Sequence, residues 1–153
     1  IGGDCCLFTS KYKKDSEQST GLLFMRVYNK WHLIIKKELK KMNLTHPQFV
    51  VLASLAYLSQ TNDEVTQVMI SKLSGIDVMT ASQILSLLEK HAYVDRKEHS
   101  RDSRAKAVIL KKKGEEILQK ALPVIEQIDE LFFGKLVEDE EHFKHLLVRL
   151  NEE

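Results

Sequence analysis

Residues 66–114 read TQVMISKLSGIDVMTASQILSLLEKHAYVDRKEHSRDSRAKAVILKKKG, and the fold follows from how this stretch is punctuated. Thr66 stands where a helix needs an N-cap, and Met69, Ile70 and Leu73 follow as its apolar positions. Ser74-Gly75 stops that helix, because glycine takes a left-handed turn without a Cβ penalty. Asp77 then caps a second helix whose inward positions are Val78, Ala81, Ile84, Leu85 and Leu88. Met79, Thr80, Ser82, Gln83 and Ser86 are left outside. Such small polar side chains pack poorly but suit base edges, since Gln pairs with adenine and Ser or Thr with several bases. The plain alternative is a solvated face.

Ala92-Tyr93-Val94 opens a strand, and AKAVIL at 105–110 forms a second. Between them DRKEHSRDSR is too polar to pack. From Lys90 to Lys113 there are nine Lys and Arg against three acids, a net +6 in a chain whose total is +1. Residues 1–89 carry +2 and residues 114–153 carry −7. Charge concentrated in this way predicts a localised anionic partner, with the acidic end facing away from it. Two helices at a sharp turn beside a cationic hairpin make a winged helix-turn-helix. Its second helix fits the major groove, and its wing lies along phosphates or enters the minor groove.

The string RDSRAKAVILKKKG, preceded by LLEKHAYVDR, resembles the wing of the MarR family of winged-helix transcriptional regulators. That wing has Asp-x-Arg, a short run ending in Leu, then polar residues leading to Gly, met here by Asp102, Arg104, Leu110 and Gly114. The likeness covers roughly residues 19–150 and departs at His91-Ala92, Gln83 and Lys111, where the family often has Lys-Gly, a basic residue and Thr. It implies a homodimeric repressor of a palindromic operator in double-stranded DNA, released by a small aromatic or lipophilic effector, with no cofactor. It implies Arg104 at the wing tip, entering a narrow minor groove, where Asp102 can hold it through a bidentate pair. Lys97, Arg101 and Lys106 are the expected phosphate contacts, positioning without specifying.

The fold class expected is mostly α (α+β): a winged helix-turn-helix with long N- and C-terminal dimerisation helices. Residues 1–18 form a flexible lead-in, 45–114 the DNA-binding module, and 19–44 with 115–153 the helical dimerisation region. Leu23, Phe24, Val27, Tyr28, Trp31, Ile34, Ile35 and Leu39 hold a helical period in the first long helix. Thr45 caps and Pro47 opens a second helix, PQFVVLASLAYL, apolar nearly all round and therefore buried. Glu64-Val65 adds a short strand to the wing sheet. GEEILQKALPVIEQIDELFF is a long helix bent at Pro123, and EDEEHFKHLLVRL is the last.

Leu131, Phe132, Phe133, Phe143, Leu146, Leu147 and Leu150 are more apolar surface than one small domain covers, and are the expected two-fold interface. Their other reading is closure of the chain's own core. Phe24, Tyr28, Trp31, His32 and Tyr57 are the candidate effector pocket, with simple core filling as the alternative.

Cys5-Cys6 raise a thiol-based redox sensor as a rival mechanism. Adjacent cysteines cannot pair with each other without strain, and a sensor needs a lowered thiolate pKa. His142-x-x-His145 beside Glu138 and Glu141 has ligand spacing, but reads as a solvated acidic helix, and no metal site is assigned. Nucleophile triads and Gly-rich phosphate loops are missing, so no catalytic residues are assigned and no enzyme is expected. A winged helix whose basic wing meets an acidic protein is the rival of a different class. The opening IGGDCCLFTSKYKK lacks the apolar run of a secretion signal, and no stretch is long enough to span a bilayer, so the expectation is cytoplasmic with no membrane partner.

Overall fold

Side-chain caps set where the first four α-helices begin. In α1 (Thr20–Lys40) the Ser19 hydroxyl accepts from the Leu22 N–H. Helix α2 (His46–Ser59) opens on a capping box: Thr45 Oγ1 accepts from the Gln48 N–H, and Gln48 Oε1 accepts from the Thr45 N–H. Thr66 Oγ1 caps α3 (Gln67–Ser74) at the Met69 N–H, and Asp77 caps α4 (Val78–Lys90) at the Thr80 N–H. Gly75, at φ 73°, closes α3 in the left-handed turn that only glycine takes freely. The computed structural model describes residues 8–152. Within the lead-in, residues 16–18 form a single 3-10 turn capped by Asp15.

Strands β1 (Val65–Thr66), β2 (Val94–Glu98) and β3 (Lys106–Leu110) pair antiparallel in the order β1-β3-β2. Val94 faces Leu110 and Glu98 faces Lys106, so β2 runs four residues into the polar string read as lying between the strands. Backbone pairing with β3 carries those residues; their side chains need not be buried. The short first strand is Val65–Thr66 rather than Glu64-Val65, and Thr66 ends it while capping α3.

The core sits where α2 crosses the other helices and the sheet. Leu52 and Leu55 of α2, Ile35 and Leu39 of α1, Ile70 of α3, Leu85 and Leu88 of α4 and Val94 of β2 are fully enclosed. Two expected core positions are not: Val78, 43% exposed, lies in the unpacked first turn of α4, and Leu73 lies on the rim of a cleft. Helix α5 (Lys112–Phe133) starts directly after β3, two residues earlier than expected, because the Lys111 N–H is tied to the Tyr93 carbonyl. Gly114, in its first turn, is buried against that same carbonyl. Ala92 adopts φ 60°, which explains why glycine is common there in the resembling family.

A 3-10 segment (Gly134–Asp139), interrupted at Val137 (φ 52°), leads to α6 (Glu140–Asn151), two residues later than expected. Helix α6 buries no residue, and the N-terminal half of α1 leaves Leu22, Leu23, Phe24, Met25 and Val27 exposed. No helix among the described residues is long and apolar enough to cross a membrane.

Candidate nucleic-acid interface

The hairpin turns back at residues 99–105, where the His99 N–H donates to the Ala105 carbonyl and the Ala105 N–H to the Asp102 carbonyl. Lys97, Arg101, Arg104 and Lys106 are all exposed on this finger. The Arg104 side chain is 91% exposed. Asp102 Oδ1 accepts from both the Arg104 N–H (3.0 Å) and Nε (3.3 Å). The pair therefore uses one carboxylate oxygen rather than the bidentate fork expected, because the same oxygen also closes the turn. The guanidinium Nη atoms are left pointing to solvent with no bond to another described residue.

Two tethers that the linear order hides fix this finger. Glu64, just before β1, accepts from the Ser100 N–H (3.1 Å) and the Ser100 hydroxyl, with His99 Nε2 3.8 Å away. Those Ser100 bonds hold its carboxyl below the usual range. Arg96 of β2 turns inward, unlike the other wing cations. Its guanidinium donates to Gln67 Oε1 at 3.0 Å, Ser86 Oγ at 2.8 Å and Glu89 Oε1 at 3.3 Å, while its backbone N–H donates to Glu89 Oε2. One side chain thus locks the wing to α3 and α4. Lys111 pairs with Asp95, and Lys113 donates to the His91 carbonyl over the Tyr93 ring. Glu64, Gln67, Glu89 and Arg96 carry no motif of their own; only the ladder register brings them together.

On α4 the outer side chains are not equivalent. Met79, Thr80, Gln83 and Ser86 are exposed, but Ser82 is half-buried beneath Arg96 and the Ser86 hydroxyl is already bonded to it. Thr80 donates its hydroxyl to Asp77, and its two bonds lower the Asp77 pKa.

Of the five pocket candidates only Tyr28, Trp31 and His32 meet. Tyr28 stacks on His32 at 5.5 Å between ring centroids, and Trp31 lies edge-on to His46 at 5.2 Å. Phe24 is exposed a turn away, and Tyr57, 63% exposed, lines a separate cleft of about 610 Å3 with Leu73, Leu118 and Leu122. The cause is distance along α2. His46 meets α1 at the start of the helix, and Tyr57, on nearly the same face three turns and about 16 Å further on, lies beside Leu73 of α3 and Leu118 and Leu122 of α5. His32 Nδ1 and His46 Nδ1 are 2.8 Å apart, so one ring must donate to the other's lone pair. Trp31 Nε1 donates to Asp129 Oδ1 of α5 at 2.8 Å; burial raises the Asp129 pKa and that bond only partly offsets it.

Of the interface candidates, Leu131, Leu146 and Leu150 are exposed, Leu150 at 79%. Phe132, Phe133, Phe143 and Leu147 are half-covered instead, because Phe133 joins Trp31 (6.1 Å) to Phe143 (6.0 Å) within the chain. Cys5 and Cys6 lie outside the described residues. Glu141 is paired with Lys144 at 2.7 Å, and no group of three metal-ligating side chains occurs among the described residues.

Burial, then the nearby His32, lowers the His46 pKa from 6.5 to about 4. The unfolded chain binds a proton here that the folded chain refuses. Stability is therefore complete above about pH 6.5 and is lost as pH falls toward 4, by roughly 1–2 kcal/mol at pH 5. Urea unfolding at pH 7 and 5 should show this loss, and His46→Gln should flatten it. A profile that the substitution leaves unchanged assigns the loss elsewhere.

The family described as "ArnR1-like, winged-helix domain" matches residues 40–129. An uncharacterized HTH-type transcriptional regulator of Bacillus subtilis, YdcH, is 31% identical over 135 residues, covering 88% of this chain and 92% of that protein. The transcriptional regulator HosA of Escherichia coli is 29% identical over 107 residues, 70% of this chain and 76% of its own. Among solved structures, Bordetella bronchiseptica BpsR, described with regulation of its DNA binding by 6-hydroxynicotinic acid, superposes with a TM-score of 0.80 at 24% identity, covering 90% of this chain and 96% of its own. A mutant MarR of E. coli complexed with operator DNA superposes with a TM-score of 0.77 at 20% identity, covering 95% and 100%.

Proposed function

This chain belongs to the MarR family of winged-helix transcriptional regulators, and from that premise we propose that it is a homodimeric repressor of a palindromic operator, released by a small aromatic effector. The observation that carries this reading is the wing: four exposed cations on a finger that Arg96 and Glu64 hold beside an uncovered helix face. Residues 45–114 are then the DNA-binding module, and 19–44 with 115–153 the dimerisation region. The uncovered apolar surface of α1 and α6 supports pairing of two chains, which spaces two α4 helices for successive major grooves. Operator binding places the protein in the compartment that holds DNA, the cytoplasm. The relatives named above are regulators, and no reaction is assigned to the chain.

The effector reading now centres on Tyr28, Trp31, His32 and His46 rather than on the wider set of five. Flat rings and an imidazole pair suit an aromatic acid, and BpsR responds to one. Such a ligand acts by binding one dimer geometry better than another, and shifts the population only by that difference. Trp31 is the only tryptophan, so its emission reports the cluster. A duplex from upstream of the chain's own gene should bind, and aromatic acids should quench Trp31 while releasing it. Release without any change in emission would move the effector site elsewhere; failure to bind the duplex at low salt would remove the repressor reading.

A further inference from the structure

The outer stripe of α4 runs Met79, Gln83, Leu87 and Lys90, each a turn or so from the last. Met79 is 77% exposed and Leu87 48% exposed, with Val78 open beside them. The hydroxyls nearby are already committed: Thr80 to Asp77, Ser86 to Arg96 and the Ser82 carbonyl. Gln83 bonds to no other described residue and keeps both its donor and its acceptor. No Arg or Lys precedes Lys90 in this helix, so the side chains that fork onto guanine O6 and N7 are missing from the turns that enter the groove first. A bare thioether there is solvated at a cost unless it meets apolar surface. In the major groove that surface is the thymine 5-methyl group.

We propose that α4 reads A·T base pairs, Met79 packing on thymine methyls and Gln83 pairing with a neighbouring adenine through N6 and N7, while G·C pairs in the half-site go unread. This rests on the DNA-binding reading above and adds its base preference. Arg104 leans the same way, because A-tracts narrow the minor groove and draw a guanidinium into it.

The test enriches a duplex pool with a randomised core on the chain, then resynthesises the consensus with deoxyuridine for thymidine. That exchange removes the 5-methyl group and keeps base pairing. Expected are A·T-rich half-sites and an affinity loss of about fourfold for each methyl contacted. Met79→Ala, which changes an exposed side chain, should bind the thymidine and deoxyuridine duplexes equally. Equal affinity of the native chain for both duplexes, or a G·C consensus in the half-sites, overturns the proposal and leaves DNA binding standing. A pool yielding no enriched duplex at low salt overturns both.

Discussion

Raising the salt from about 50 to about 200 mM should weaken duplex binding by roughly ten-thousand-fold, because log K falls by about 0.9 per phosphate neutralised for each log unit of salt. Lys97, Arg101, Arg104 and Lys106 are exposed on each wing. Two wings on one duplex therefore give a slope of about −7, and a single wing about −3.6. The slope reports the number of chains bound as well as the nature of the ligand. Arg104→Ala removes one cation per wing and should flatten the slope by about two. A charge-assisted contact is worth roughly 1.5–3 kcal/mol, so losing two of them lowers affinity at fixed salt by at least about a hundredfold. The side chain bonds only to Asp102 among the described residues, so the variant should keep its circular dichroism and its mass in solution. Unchanged affinity and slope in that variant would remove Arg104 from the interface. A slope near zero for the native chain would remove DNA.

Gly114→Ala is expected to destabilise the fold by about 2–4 kcal/mol, opposite in sign to what helix propensity alone predicts. In an open helix, glycine to alanine gains up to about 1 kcal/mol. Here the added Cβ would lie 2.2 Å from the Tyr93 carbonyl oxygen and 3.0 Å from Leu110 Cδ1. The oxygen cannot retreat cheaply, since it accepts the Lys111 N–H that joins β3 to α5. Gly21, in the first turn of α1 with nothing within 4 Å, is the control. Gly21→Ala should leave stability equal or higher, and Gly114→Ala should lower the urea midpoint sharply. A Gly114→Ala protein as stable as the native one would show that the wing and α5 can part without cost. The wing's hold on α5 would then be weaker than the packing implies.

Local chemistry was readable wherever a residue acts on its own backbone. Thr45, Thr66 and Asp77 cap the helices they precede, Gly75 makes the turn, and the strands begin within two residues of expectation, because caps and left-handed turns are decided within a few bonds of the residue. The cationic finger was legible as well, since charge clustered in sequence stays clustered in a hairpin. Register and position along a helix, by contrast, set what the linear order could not. Arg96 counts with the other cations in sequence, yet the pleat turns it inward onto Gln67, Ser86 and Glu89. Val78 keeps an apolar period but lies in a first turn with nothing above it, and Tyr57 shares a helix with His46 but faces another cleft. Glu64 meets Ser100 only because β1 pairs beside β3. The sequence by itself determined the helix-turn-helix, the wing and the sign of the partner. Tertiary structure decided which cations face outward and which side chains can reach a base, because those depend on contacts between segments far apart in the chain.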